Sequence, residues 1–279
     1  MPLREERLEI LRAETRELEK YLSDLPEEAW GLPSACDGWC IADVVAHLTL
    51  TRGFNPFRIL RALRGDDSPD DLSPRLVLGD VDPVSDAEEA ITLRKELGGD
   101  LLAEYIKASR GIVNALANVG SQNWDKRVFR PSRPEPVRNL VDIFICELAV
   151  HGWDVRSRFE SQAGLSPKSV AVMVERIPHR ATWWSFRTEA GFASLLLRYR
   201  VEVTPPAQNR VDVVVTEERR YMEAASSNDA HITFRCDGET FAFLMYGRIK
   251  PEVAIADGRM SYTGDQELAS AFIQRFTGG

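Results

Sequence analysis

The chain has little of what would place it in several large classes. No stretch approaches 18 consecutive apolar residues, so no membrane-spanning helix is expected. The start, Met1-Pro-Leu-Arg-Glu-Glu-Arg7, is charged at once and has no apolar segment of the secretory type. Cytoplasm is therefore the expected compartment. No basic run occurs and the formal net charge is −8, which argues against a nucleic-acid partner. Only four cysteines are present, at 36, 40, 146 and 236, and none pairs in a Cys-x-x-Cys motif. Cys146 and Cys236 lie in apolar segments and read as reduced core thiols. There is no internal repeat and no low-complexity tract.

What is present is ordinary globular material. The 279 residues are 44% hydrophobic, long for one domain and comfortable for two. Leu8, Leu11, Leu18 and Leu22 recur at helical spacing and predict a helix over 4–24, ended by Pro26. A second helix is expected from about Cys40 to Arg64, kinked or restarted at Pro56. An acidic loop follows over 65–84. Ser85-Asp-Ala-Glu88 has capping-box form and predicts a third helix to about Val119, with Gly98-Gly99 as a possible interruption. Residues 120–136 read as a loop, and Pro136 opens a fourth helix to about Arg158. Four helices with uneven connections point to a four-helix bundle over 1–160.

The pattern changes after Gly164. Pro167 to about Glu189 reads as a helix that includes Trp183-Trp184, a core or interface pair. Alternating runs at Leu197–Val203, Val211–Val215 and Ile232–Cys236 predict strands. Asp237 caps a short helix to Arg248. Val253 and Ile255 before Asp257-Gly258, with Met260 and Tyr262 after it, read as a hairpin or bulged strand. A last amphipathic helix turns Leu268, Phe272 and Phe276 inward. The arginines at 198, 200, 219, 220 and 235 read as solvent-facing strand positions. Residues 161–279 are thus expected to form a small α+β domain with a mostly antiparallel sheet.

Chemistry concentrates in three residues. Glu147 and His151 lie four apart in an apolar helical run, which stacks them on one helix face. His47 lies in a second apolar helix, Ile41-Ala-Asp-Val-Val-Ala-His-Leu48. A carboxylate and two imidazoles in such surroundings need partners or a metal. Two His and one Glu form a three-ligand set with a position left open. Zinc is the first expectation, and ligand type does not exclude nickel, iron(II) or manganese. The alternative is a satisfied polar core, with Glu147 paired to an arginine. Asp43, one turn before His47, and Asp154, just after His151, are candidates to orient a ligand imidazole. Their plain alternatives are a helix N-terminal charge and a surface charge. Cys40 is about 10 Å along the helix from His47 and is not expected to share a metal with it. His179 and His231 are not expected to be ligands.

These segments resemble a known family. Asp37-Gly-Trp-Cys-Ile-Ala-Asp-Val-Val-Ala-His-Leu48 is similar to the Gly-Trp-x-x-x-Asp-Val-x-x-His-Leu signature of the DinB-like, mycothiol-dependent maleylpyruvate isomerase family. Glu147-Leu-Ala-Val-His-Gly-Trp-Asp154 resembles its second metal segment. Phe241–Arg248 and Tyr262–Asp265 resemble its sterol-carrier-protein-like C-terminal domain. The resemblance implies a divalent metal at His47, Glu147 and His151, typically zinc. It also implies a low-molecular-weight thiol cofactor such as mycothiol and a small-molecule substrate. Many relatives carry Thr or Ser at the position of Cys40, and an arginine one turn before the metal Glu, where Phe144 stands here. The expected activity is a metal- and thiol-dependent isomerase or S-transferase. The rival from another class is a non-catalytic, metal-containing binding module for an apolar ligand or a protein partner.

Overall fold

The computed structural model describes residues 2–69, 83–130, 134–179, 196–216, 220–225 and 230–276. The chain divides into two compact units, Met1–Ala163 and Gly164–Gly279.

The first unit is helical. Helix α1 spans Pro2–Asp24 and buries Leu8, Leu11, Leu18 and Leu22, the residues whose spacing marked it. Pro26 is extended and a 3-10 turn follows over Glu27–Gly31. Of the two expectations at Pro56, a kink or a restart, the structure has the restart, with α2 Ile41–Gly53 followed by α3 Asn55–Leu63. Pro56 lies in the first turn of α3, where its missing N–H has no intrahelical partner to lose. The expected third helix is also two, α4 Pro83–Leu97 and α5 Leu101–Ala117, separated by a 3-10 turn over Gly98–Asp100. Gly98 takes φ +50°, a left-handed value that breaks helical continuity and suits glycine. The predicted loop over 120–136 contains a short antiparallel pair, β1 Arg127–Val128 with β2 Glu135–Pro136. Helix α6 spans Val137–Arg156. α2 packs against α4, α5 and α6, while α1 packs against α5 and α6.

Helices α2 and α6 are buried nearly all round, which is why both read as apolar runs rather than amphipathic stripes. Asp43, Thr49, Arg52 and Asp154 are accordingly held inside the bundle.

The second unit is α+β. Helix α7 spans Pro167–Arg176, with the Ser166 hydroxyl accepting from the Ser169 N–H at its start. It ends at Arg176 and a 3-10 turn covers Ile177–His179. The remainder of the expected helix, including Trp183-Trp184, lies outside the described residues, as do 70–82 of the acidic loop. The sheet contains β3 Leu197–Val203, β4 Asn209–Val215, β5 Arg220–Ala224, β6 Ile232–Cys236 and β7 Met260–Gly264. Their order is β5-β4-β3-β6-β7. β3 and β6 pair in parallel and the other neighbours are antiparallel. Helices α8 Gly238–Met245, α9 Pro251–Ala256 and α10 Gln266–Arg275 complete the unit, with Asp237 and Asp265 capping α8 and α10.

Two expectations are corrected here. The hairpin predicted around Asp257-Gly258 is a helix followed by a strand. Pro251 opens α9 and is buried with Ala254, while Val253 is exposed, so the Val253/Ile255 alternation does not mark a sheet face. Arg198 and Arg200 do not face solvent. Both are buried and paired with the fully buried Asp212, which lies opposite Arg200 across the β3–β4 ladder. Arg198 Nη1 donates to Asp212 Oδ2 at 2.9 Å, and Arg200 Nε donates to Asp212 Oδ1 at 2.8 Å. Arg235 is exposed as expected, and Arg219 lies outside the described residues.

The other sheet face is apolar. Val201, Phe234, Phe241, Met245, Phe272 and Phe276 line a small apolar cleft between strands and helices.

Candidate metal centre

α2 and α6 bring the three sequence-predicted ligands together. Glu147 Oε2 lies 3.6 Å from His47 Nε2 and 3.5 Å from His151 Nε2. One ligand atom from each residue falls within 4.8 Å of the other two. Two donors held about 2.1 Å from one tetrahedral ion would stand about 3.4 Å apart. The donor set therefore fits a single divalent cation of the zinc class, through two imidazole nitrogens and one carboxylate oxygen. The side chains of His47, His151 and Glu147 retain 14%, 11% and 23% of their surface, so the cluster can be reached by a small molecule.

Two of the three candidate ligands are tuned by their surroundings. Burial would push the Glu147 carboxyl up. Hydrogen bonds and charge from His151 and His47 outweigh it and hold that group well below the usual carboxylate range. Burial would lower the His151 imidazole, but Asp154 and then Glu147 raise it above its ordinary value. His151 Nδ1 lies 2.9 Å from Asp154 Oδ2, and the Asp154 side chain has no exposed surface. With an ion bound, an Nδ1 proton directed at that carboxylate would leave the Nε2 lone pair for the metal. Asp154 is thus buried against His151 and is no surface charge.

Asp43 takes the other of its two expected roles. Its Oδ2 accepts from the Cys40 backbone N–H at 3.0 Å and from the Cys40 thiol at 2.9 Å, which closes the start of α2. Its Oδ1 lies 2.6 Å from Arg94 Nε. Burial and the Asp43 hydrogen bond push the Cys40 thiol up, so it is a capping group rather than a ready nucleophile. His231 lies in the other unit, where its Nδ1 accepts from the Arg198 backbone N–H at 3.1 Å.

Two neighbours of the cluster were not singled out in the sequence. The Trp39 ring centroid is 5.2 Å from that of His47 and 6.3 Å from that of His151, nearly parallel to the latter at 24°. The preceding loop fixes it there. Ser34 donates to the Trp39 carbonyl through both N–H and hydroxyl, Gly38 supplies φ +79°, and Ala35 N–H donates to the Asp154 carbonyl. Trp39 stands in the quoted signature, but its contact with both imidazoles exists only in three dimensions. The second neighbour is Arg52, whose guanidinium lies over the Phe144 ring, 5.8 Å from its centroid. Its position after His47 on α2 carried no signal without the packing of α2 on α6.

Comparisons with known proteins follow the division into two units. Residues 11–156 match the family model of the mycothiol maleylpyruvate isomerase N-terminal domain, and residues 188–277 match the SCP-2 sterol transfer family. A crystal structure of the mycothiol-dependent maleylpyruvate isomerase shares the fold with a TM-score of 0.61 at 17% identity, over 89% of this chain and 90% of that one. A histidine-to-alanine mutant of that isomerase gives a TM-score of 0.60 at 17% identity, over 88% and 90% of the two chains. A search of curated sequences returned no match.

Proposed function

Because the chain belongs to the mycothiol maleylpyruvate isomerase N-terminal domain family, we propose that it is a divalent-metal-dependent enzyme that uses a low-molecular-weight thiol of the mycothiol kind. It acts as an isomerase or S-transferase on a small anionic substrate. The observation that carries this reading is the convergence of His47, Glu147 and His151, with Asp154 behind His151. The similar solved structures are of a mycothiol-dependent isomerase, which supplies the thiol and the reaction class as expectations.

His47, Glu147 and His151 would hold the metal. A divalent ion there supplies Lewis acidity that keeps a thiol ionised near neutral pH. The chain's own residues do the rest. Glu147 stays ionised, Asp154 fixes the His151 ring, and Trp39 excludes water from one side of the imidazoles. No described helix is long and apolar enough to cross a membrane. The cytoplasm and small-molecule partners, rather than nucleic acid, fit this reading.

The test is elemental analysis of protein purified without an affinity tag, beside a His47→Ala variant, followed by a thiol-plus-substrate screen. About one ion per chain, lost in the variant, is expected. No metal after added zinc would overturn the reading.

A second reading rests on the apolar cleft of the α+β unit, which lies within the SCP-2 match. There the protein would bind an apolar ligand without catalysis. Stoichiometric binding of a fluorescent fatty acid, with no thiol-dependent turnover of any screened substrate, would favour it.

A further inference from the structure

Arg52 has less than it needs from the protein around it. It is one of the largest fully buried side chains, with 1% of its surface exposed. Its Nη1 donates to the Leu48 carbonyl at 2.8 Å and to the Thr51 hydroxyl at 3.4 Å. Among the described residues its Nη2 meets no acceptor. A buried guanidinium without a counter-charge is strongly unfavourable, so an anion must sit within its field. Among the described residues the carboxylate whose charge acts on it is that of Glu147.

The position follows from helical geometry. Arg52 lies five residues after His47 on α2, and its carbonyl partner Leu48 is the residue next to His47. On α6 its guanidinium covers Phe144, three residues and just under one turn before Glu147. The cation therefore lies between α2 and α6, about one helical turn along α6 from Glu147.

We propose that Arg52 is a charge-setting, specificity-determining residue of the metal centre, which makes the centre select an anionic ligand over a neutral one. This rests on the metal reading above. A divalent ion with the carboxylates of Glu147 and Asp154 carries no net charge. Arg52 brings the set to +1, and one bound thiolate or small anion returns it to neutrality. In a low-dielectric bundle one such charge several ångströms away changes ion affinity by about tenfold or more. The two affinities respond with opposite sign. The arginine repels the metal cation and attracts the anion.

The test uses the full chain loaded with cobalt(II), with Arg52→Met, Arg52→Gln and Arg52→Lys beside the wild type. Metal affinity is read by competition with a chromophoric chelator. Anion affinity is read from the change in the cobalt spectrum on titration with thiocyanate and with N-acetylcysteine. The two neutral variants are expected to bind cobalt as tightly as the wild type or tighter, and each anion about tenfold more weakly. Arg52→Lys restores wild-type behaviour. A purely structural role would weaken metal and anion together in the neutral variants, and that outcome overturns the proposal. Unchanged anion affinity overturns it as well while leaving the metal centre intact. A wild type that takes up no cobalt removes both readings. Arg52→Gln can keep the bond to Leu48, so it reports if Arg52→Met does not fold.

Discussion

Asp154→Asn separates an oriented metal ligand from a histidine that merely lies near others. The wild-type carboxylate is fully buried and 2.9 Å from His151 Nδ1. A hydrogen bond to a charged group contributes about 1.5–3 kcal/mol. Loss of such an outer partner lowers metal affinity about 10–100-fold, and at about 1.4 kcal/mol per factor of ten that is about 1.4–2.8 kcal/mol. The two magnitudes agree. Asn keeps the shape but can turn an NH₂ toward Nδ1, which favours the wrong tautomer. Zinc affinity at neutral pH, measured by chelator competition, should fall by about one to two powers of ten. Asp43→Asn is the internal control. Its carboxylate serves Cys40 and Arg94 at the start of α2, so it should lower the melting temperature and leave zinc affinity within about threefold of wild type. Wild-type zinc affinity in Asp154→Asn, or an equal loss in both variants, would refute the assignment.

Three further outcomes are expected. In the metal-free protein, depressed Glu147 contributes stability present above its unfolded value near 4.5 and lost as pH falls through the lower folded value. Raised His151 contributes stability present below 6.5 and lost as pH rises through its folded value, so the melting temperature should peak between these limits, and zinc should extend the alkaline side. Burial pushes the Cys236 thiol up to about 12 and Cys146 is also buried, so mass-spectrometric mapping of alkylation at pH 8 should find the half-buried Cys36 and Cys40 modified first; rapid native labelling of Cys236 contradicts this. Asp212→Asn removes the buried carboxylate that Arg198 and Arg200 share, and urea denaturation should show a loss of about 3 kcal/mol.

Much of this was legible along the chain. The α1 leucines, the i, i+4 pair of Glu147 and His151 and the alternating valines of β4 are local patterns, and local patterns are set by backbone period. The misreadings fall where period is ambiguous. Val253 and Ile255 alternate like a strand, yet one turn of helix from Pro251 buries only Ala254 between them. The interruption at Gly98 and the restart near Pro56 were visible, but not the residues at which each helix ends.

The sequence alone determined which residues had to be satisfied: a carboxylate and two imidazoles in apolar helices, for which water is no partner. Only the tertiary structure decided what satisfies them and what each aspartate does. Asp43 and Asp154 looked alike in the chain. One closes a helix start with Cys40 and the other holds His151, because a hydrogen bond depends on which groups come within 3 Å across packed elements. The same packing put Trp39 beside both imidazoles and Arg52 over Phe144, and it paired two buried arginines with Asp212. Those contacts depend on register and helix packing, neither of which a helical or strand period encodes.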